Sequence, residues 1–425
     1  MKVKKIIAVV FGVSFTFILI TGYIYSECSK INNENTEVSG EITFATNRID
    51  KKEEIKEIIN DFQEINPSIK VNLEVIGNVE EILKRRASVG ELPDVTLVPA
   101  SIKNDELKDY FLPLDDLGFS DDNINNYNIG TDEEGNLYTM SASMIWLGVI
   151  YNKQVFKEAG ITDVPKTAEE FFQDCKKIKE KGIIPIALNY KQSWLISEWV
   201  ESIPYLFEPD IEKEVSENNK EILSKDSGMF KSLEFARKIV KSGYCEKDLL
   251  NYEWEQCKND LKDGKTAMVV WSSDLKNQLV EMGADKDNIG MFPVPESRLI
   301  NIVGDYQIGV SKNSKYPEAA KEFFKFLFED SRYAKAVKVT SSMKDSRDSE
   351  EMLNEINKFD IELKYQADTL KNLSKDDKRN QTMYLNTKRL LGVDYAFVQN
   401  YITSQDTKKI IEDLNKSWRN IKYEK

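Results

Sequence analysis

The chain has 425 residues, 41% hydrophobic and 10% aromatic, which is length enough for two separate cores and too apolar for a disordered segment. Its net charge of -13 runs against phosphate recognition, which needs a concentrated excess of Lys and Arg, so nucleic acid is not an expected partner. No His occurs anywhere, which removes the usual general base, the commonest zinc ligand and the usual activator of a nucleophilic Ser or Cys; no metal or cofactor is called for.

Lys2, Lys4 and Lys5 precede a run without charged side chains from Ile6 to Tyr25, so residues 1–28 read as an export signal and are set aside from the fold. Two outcomes are open. Cys28 stands where a bacterial lipoprotein carries its lipidated Cys, although Glu27 occupies a place usually held by a small residue and Tyr25 one usually held by Leu. Alternatively the apolar run stays in place as an anchor helix, since it is nearly long enough for a hydrocarbon layer of ~30 Å. In both cases the body of the protein is tethered outside the membrane. Residues 29–40 form a polar linker.

Order begins at Glu41 with a strand predicted over 42–46. Asp50 and Glu53 then open a helix with Ile55, Ile58, Ile59 and Phe62 on one face, closed by Asn66-Pro67. Ile69, Val71, Leu73 and Val75 alternate with polar residues, the period of a half-covered strand. Asn78 and Glu81 start a second helix, Gly90 stops it, and a third strand is predicted over 95–98. This β-α-β-α-β order predicts a largely parallel sheet with ligand beyond the carboxyl ends of its strands. The candidates there are Asn47 and Arg48 after the first strand and Ser101 after the third.

Asp132 to Asn136 superficially suggests a calcium loop, but the ligand spacing is wrong and a hairpin turn explains it better. The uncharged run from Met144 to Tyr151 reads as a buried strand, with Met144 to Leu147 as a first hinge crossing beside Ser143 and Trp146. Phe156 begins a short helical turn that Gly160 ends. Thr167 and Glu170 box a helix carrying Phe171, Cys175 and Ile178. Strands are predicted over 183–188, 267–270 and 301–303, the first leading to Asn189 and Trp194, the second to Trp271, Ser273 and Asp274, the third to Asp305 and Tyr306. A helix is predicted over 317–329, and the charged stretch 342–379 reads as exposed helices. Cys175 is placed in the core, while Cys245 and Cys257 either close a short loop or remain free thiols.

Phe62-x-x-x-Asn66-Pro67-x-Ile69-Lys70-Val71, Gly90-x-Leu92-Pro93-Asp94-Val95, Tyr151-Asn152-Lys153 with Phe156 and Ala159-Gly160, and Pro165-Lys166-Thr167-x-x-Glu170-Phe171 follow one another in a telling order. The series resembles the extracellular solute-binding proteins of sugar-importing ABC transporters, the maltose-binding-protein-like family. Gly182 to Ala187, Gly264 to Met268, Gly309-Val310-Ser311 with Tyr316 to Ala320, and the run from Ile402 to Trp418 extend it over essentially the whole chain after the linker. The resemblance implies a two-lobed periplasmic-binding-protein-like α/β fold with discontinuous lobes, several crossing segments and ligand in the cleft. The first lobe would comprise 41–143 and 296–340, the second 148–292 and 345–425, in a monomer. One departure is Trp271-Ser272-Ser273-Asp274, where relatives often carry a Gly followed closely by Trp.

Sugar faces present C-H patches and sugar rims present hydroxyls, so a sugar site wants aromatic platforms edged by polar groups. Trp146, Trp194, Trp271 and Tyr306 are the candidate platforms. Asn47, Arg48, Ser101, Ser143, Asn189, Ser273, Asp274 and Asp305 are the candidate hydrogen-bonding groups, whereas Trp199, Trp254 and Trp418 read as structural. The expected function is a tethered extracellular receptor that captures a sugar or oligosaccharide by hinge closure and delivers it to the permease of an ABC importer. The same fold with a non-sugar solute, a ligand sensor, and an exported carbohydrate-active enzyme using two carboxylates are the competing readings.

Overall fold

The computed structural model describes residues 38–217, 220–371 and 373–423. The export segment, Cys28 and most of the linker lie outside the described residues. Nine strands join in one sheet: β1 (Gly40–Thr46), β2 (Ile69–Val75), β3 (Val95–Leu97), β4 (Thr139–Asn152), β5 (Ile184–Ala187), β6 (Thr266–Ser272), β7 (Ile289–Phe292), β8 (Leu299–Val310) and β9 (Glu362–Tyr365). The spatial order is β2-β1-β3-β8-β4-β6-β5, with β7 on β4 and β9 on β8.

The first lobe begins as the sequence pattern dictates. β1 pairs in parallel with β2 and β3, and the crossover helix Lys52–Ile65 buries Ile55, Ile58, Ile59 and Phe62 against them. Its start differs from the capping box expected of Asp50: that carboxylate is taken in a bidentate pair by Arg48, at 2.9 and 2.7 Å, and the helix starts after Lys51 without a side-chain cap. Asn78 likewise makes no cap bond and instead donates through Nδ2 to Glu81 Oε2 at 2.7 Å. Gly90 ends that helix at φ 72°, a conformation costly for a residue with a Cβ. In the second lobe the Thr167 box forms as expected, and Glu170 Oε2 accepts the Thr167 N-H at 3.1 Å.

The sheet is mixed, not largely parallel. β4 and β8 are long strands that run in opposite directions through both lobes, because one carries the chain out of the first lobe and the other brings it back. Residues 139–146 of β4 pair with β8, and residues 147–152 pair with β6 and β7. Gly304-Asp305-Tyr306 therefore lies inside a strand, not beyond the end of one. The stretch 342–379 also departs from exposed helices alone: helix Arg347–Ile356 buries Met352 and Ile356, and β9 adds in parallel to the start of β8. Its short alternation of Ile361, Leu363 and Tyr365 is masked by surrounding charge.

Side chains from β1 to β3, the end of β8 and helix Pro317–Phe328 form one hydrophobic core, with Phe62 and Phe323 edge to face at 5.0 Å. A second core gathers Phe171, Phe235, Trp199, Tyr401 and Trp418. A smaller third cluster fills the waist with Met144, Trp146, Ile302, Leu275 and Met352. Cys175, Cys245 and Cys257 are buried free thiols; Cys245 sits in the second core and Cys257 in the waist cluster, so the two do not pair. Asp132 closes a turn by accepting the Glu134 and Asn136 N-H groups, each at 3.0 Å, as the hairpin reading requires.

Candidate functional site

Where the two lobes face each other, a cavity of 500 Å³ opens between segments far apart in sequence. The first lobe contributes Asn47, Arg48 and Asp50 from the end of β1, Tyr306 from β8, and Val337 to Val339. The second contributes Asp274, Gln278, Glu281 and Met282 from helix Asp274–Glu281 and its end, with Lys258 from helix Trp254–Lys262.

Backbone distortion sets the first wall. β8 keeps Ser143 opposite Asp305 and Ser141 opposite Gln307, but Tyr306 between them stands at φ 51°. A bulky residue in this region costs on the order of 1–3 kcal/mol, held here by the flanking ladder. The Tyr306 N-H turns to Asp305 Oδ1 at 2.8 Å, and its ring lies under the Arg48 guanidinium at 5.8 Å. Burial opposes the charge on Arg48, yet the Asp50 carboxylate outweighs it and the guanidinium is held protonated.

Two carboxylates dominate the electrostatics. Burial pushes the Asp274 carboxyl up, partly offset by hydrogen bonds from Ser272 Oγ and Gln278 Nε2, the latter at 2.9 Å. Burial also pushes Asp305 up; its bond from the Tyr306 N-H works against this, and the charge of Asp274 adds to it. Arg48 lowers both but is already committed to Asp50. Two acceptors, one from each wall, are thus close enough for the charge of one to raise the other, and among the described residues neither is held in an ion pair. Asn47 Oδ1 is buried and has no hydrogen-bond partner among the described residues. Such an acceptor calls for a donor from a ligand, because an unsatisfied buried oxygen costs on the order of 1–3 kcal/mol.

Beside the cavity stand three tryptophans. Trp194 meets Trp271 edge to face at 4.8 Å and Trp254 at 5.3 Å, and 42% of Trp194 remains open to solvent. Lys258 links this cluster to the cavity, its ammonium 5.9 Å from the Trp254 ring. Across the cavity, Lys51 pairs with Glu281, and Asn277 Nδ2 donates to the Lys338 carbonyl at 3.1 Å, so the lobes already touch through polar contacts.

Of the residues proposed from sequence, Asn47, Arg48, Asp274 and Tyr306 line the cavity, Asp305 adjoins it, and Trp194 and Trp271 form the aromatic flank. Ser143 is wholly buried opposite Asp305, with no partner for its hydroxyl among the described residues. Four others are corrections. Trp146 is 1% exposed and belongs to the waist core, its ring lying so close over Gly148 that a Cβ there would come within 2.6 Å of Cζ3. Ser273, just past the end of β6, serves the backbone of the neighbouring strand β4, accepting the Trp146 N-H at 3.3 Å and donating its own N-H to the Trp146 carbonyl at 2.9 Å. Asn189 is fully buried and donates through Nδ2 to Cys257 Sγ at 3.3 Å. Ser101 is exposed and does not line the cavity.

Trp254, read from sequence as structural, joins the aromatic cluster. Lys51, Lys258, Gln278 and Glu281 escaped sequence reasoning as well. One signal was available: Trp254 and Lys258 are four apart on a helix and so share a face.

A profile of the family described as bacterial extracellular solute-binding protein matches residues 45–331. The chain is similar to a multiple sugar-binding protein of Streptococcus mutans, 23% identical over 326 residues that span 72% of this chain and 76% of the relative. It is similar also to a diacetylchitobiose binding protein of Streptomyces coelicolor, 24% identical over 64% of this chain and 65% of that one. Among solved structures, a manno-oligosaccharide-specific solute-binding protein of Bifidobacterium animalis subsp. lactis, in complex with mannotriose, superposes with a TM-score of 0.74. That protein is 22% identical, and the match covers 92% of this chain and 97% of the other.

Proposed function

The chain belongs to the bacterial extracellular solute-binding proteins, and on that premise we propose that it is an exported receptor that closes two lobes on a sugar or oligosaccharide and delivers it to an ABC importer. The observation that carries the reading is the pairing of an exposed tryptophan platform with a cavity edged by the Asn47 amide oxygen and the buried Asp274 and Asp305 carboxyls. Trp194, backed by Trp254 and Trp271, stacks on a sugar face. Asn47 Oδ1, Asp274 and Asp305 accept hydroxyl protons from the rim. Since Asp274 and Asp305 belong to opposite walls, a ligand bridging them favours the closed arrangement by differential affinity.

The lobes of this reading are 41–143 with 296–340 and 148–292 with 345–425, which the two separate main cores support. Retention at the membrane rests on the N-terminal sequence, through lipidated Cys28 or through the apolar run itself; among the described residues no helix is long and apolar enough to cross a membrane. Binding without catalysis is the proposed role. Both Asp274 oxygens are engaged, by Ser272 and Gln278, and the similar proteins are named for binding.

The test is isothermal titration of the mature protein with mannotriose, diacetylchitobiose and maltose, set against amino acids, a short peptide and spermidine. A sugar should bind with Kd between about 1 nM and 1 μM, or about -12 to -8 kcal/mol. Silence with every sugar and tight binding of another solute class would sink the sugar assignment.

A further inference from the structure

Trp194 is useful as a platform only if the turn beneath it is held still, and that turn has an unusual support. After β5 the chain passes through Asn189 at φ 54°, and the N-H groups of Leu188, Asn189 and Tyr190 turn toward one point. Consecutive N-H groups arranged in this way form a concavity suited to an anion. The anion here is internal. Glu246, 3% exposed, accepts the Leu188 N-H through Oε2 at 2.8 Å and the Tyr190 N-H through Oε1 at 3.3 Å, and the Asn189 N-H also stabilises its charge.

Burial pushes the Glu246 carboxyl up, and the backbone N-H groups of Leu188, Tyr190 and Asn189 work against that rise. Burying a carboxylate in this manner costs free energy that the fold would avoid by placing an amide or an apolar side chain there. The turn it holds runs directly into the platform: the Gln192 N-H bonds the Asn189 carbonyl at 2.9 Å, and helix Ser193–Ile196, which carries Trp194, starts one residue later. Other bonds secure the outside of the turn, from Gln399 Nε2 to the Tyr190 carbonyl at 2.7 Å and from Gln192 Nε2 to Glu253 at 3.0 Å. Glu246 alone among these groups gathers the inward N-H groups of the turn.

We propose that Glu246 is a positioning residue for ligand recognition, fixing the 188–192 turn so that Trp194 stands against Trp254 and Trp271 in stacking register. It touches no ligand and acts through Trp194. This rests on the sugar-receptor reading for its effect on affinity, but not for its effect on the indole cluster.

The experiment therefore has two readouts on the full mature chain. Near-ultraviolet circular dichroism reports the Trp194–Trp271 pair without ligand; Glu246→Gln should diminish that signal, while Glu246→Asp, which keeps the charge on a shorter stem, should restore part of it. Titration with mannotriose, diacetylchitobiose and maltose supplies the second readout. Glu246→Gln should weaken the sugar that binds by about tenfold in the parent, yet by less than about twofold in a Trp194→Ala background, because coupled residues lose their separate effects once one is gone. Equal losses in both backgrounds, or an unchanged dichroism signal in a folded Glu246→Gln protein, would overturn the proposal. If Glu246→Gln does not fold, the same cycle run with Glu246→Asp decides the matter. Were the parent to bind none of the sugars, the receptor reading would fail while the dichroism still judged Glu246.

Discussion

Replacing Trp194 by Ala removes the most exposed ring of the aromatic flank, and the structure sets the size of the loss. A tryptophan side chain can bury up to about 250 Å². With 42% of the residue open, about 100 Å² remains for a ligand to cover. At about 25 cal/mol per Å² this comes to ~2.5 kcal/mol, or roughly seventyfold in Kd. The neighbours argue against compensation: Trp254 and Trp271 meet the Trp194 ring edge to face, so neither presents its own face along the same plane. Titration of the parent and Trp194→Ala with whichever sugar binds the parent measures the difference. The thermal midpoint should move little, because the ring is half exposed and its helix is only four residues long. An affinity within about threefold of the parent would refute the stacking argument, since it would leave less than about 0.7 kcal/mol for the ring.

The Lys51–Glu281 pair joins the first-lobe turn after β1 to the end of helix Asp274–Glu281 across the cavity, so it should favour closure. Lys51→Met and Glu281→Gln should each weaken sugar binding by about two- to fivefold, with the double variant no worse than either, as expected of a partly exposed ion pair; additive losses would show that the pair does not act across the cleft. Acidification should separate affinity from stability. Burial raises the Asp274 and Asp305 carboxyls above their unfolded values, so protonation as pH falls through the raised values removes acceptors and affinity should decline before the ordinary Asp value of about 3.9 is reached. The same raised values mean that the folded state takes up these protons more readily than the unfolded chain, so the two groups add to stability as pH falls through that window. Titration and thermal melts between neutral pH and pH 4 would show both trends, and affinity that stays level down to the ordinary Asp value would contradict the assignment of these carboxylates.

Much of the fold was legible because local rules and tertiary packing agree there. The helical spacing of Ile55, Ile58, Ile59 and Phe62, the alternation from Ile69 to Val75 and the Thr167-Glu170 box all form as their spacing dictates. Where the reading failed, another partner won. Asp50 looks like a cap until Arg48 claims it, and Ser273 looks like a ligand group until the Trp146 backbone claims it. Trp146 and Trp194 are both tryptophans near a strand end in the sequence. Only packing separates the first, sealed in the waist, from the second, open beside the cavity.

By itself the sequence determined the α/β character, the βαβ start, the absence of His-based chemistry and the segments that supply Asn47, Arg48, Asp274 and Tyr306 to the cavity, since each depends on spacing within a few residues. The tertiary structure decided which of those residues meet. Asn47, Asp274 and Tyr306 are brought to one cavity because two long antiparallel strands carry the sheet through both lobes, and the support of Trp194 falls to Glu246, more than fifty residues along the chain. Periodicity records which face of an element is buried, but not which distant side chain will lie against it.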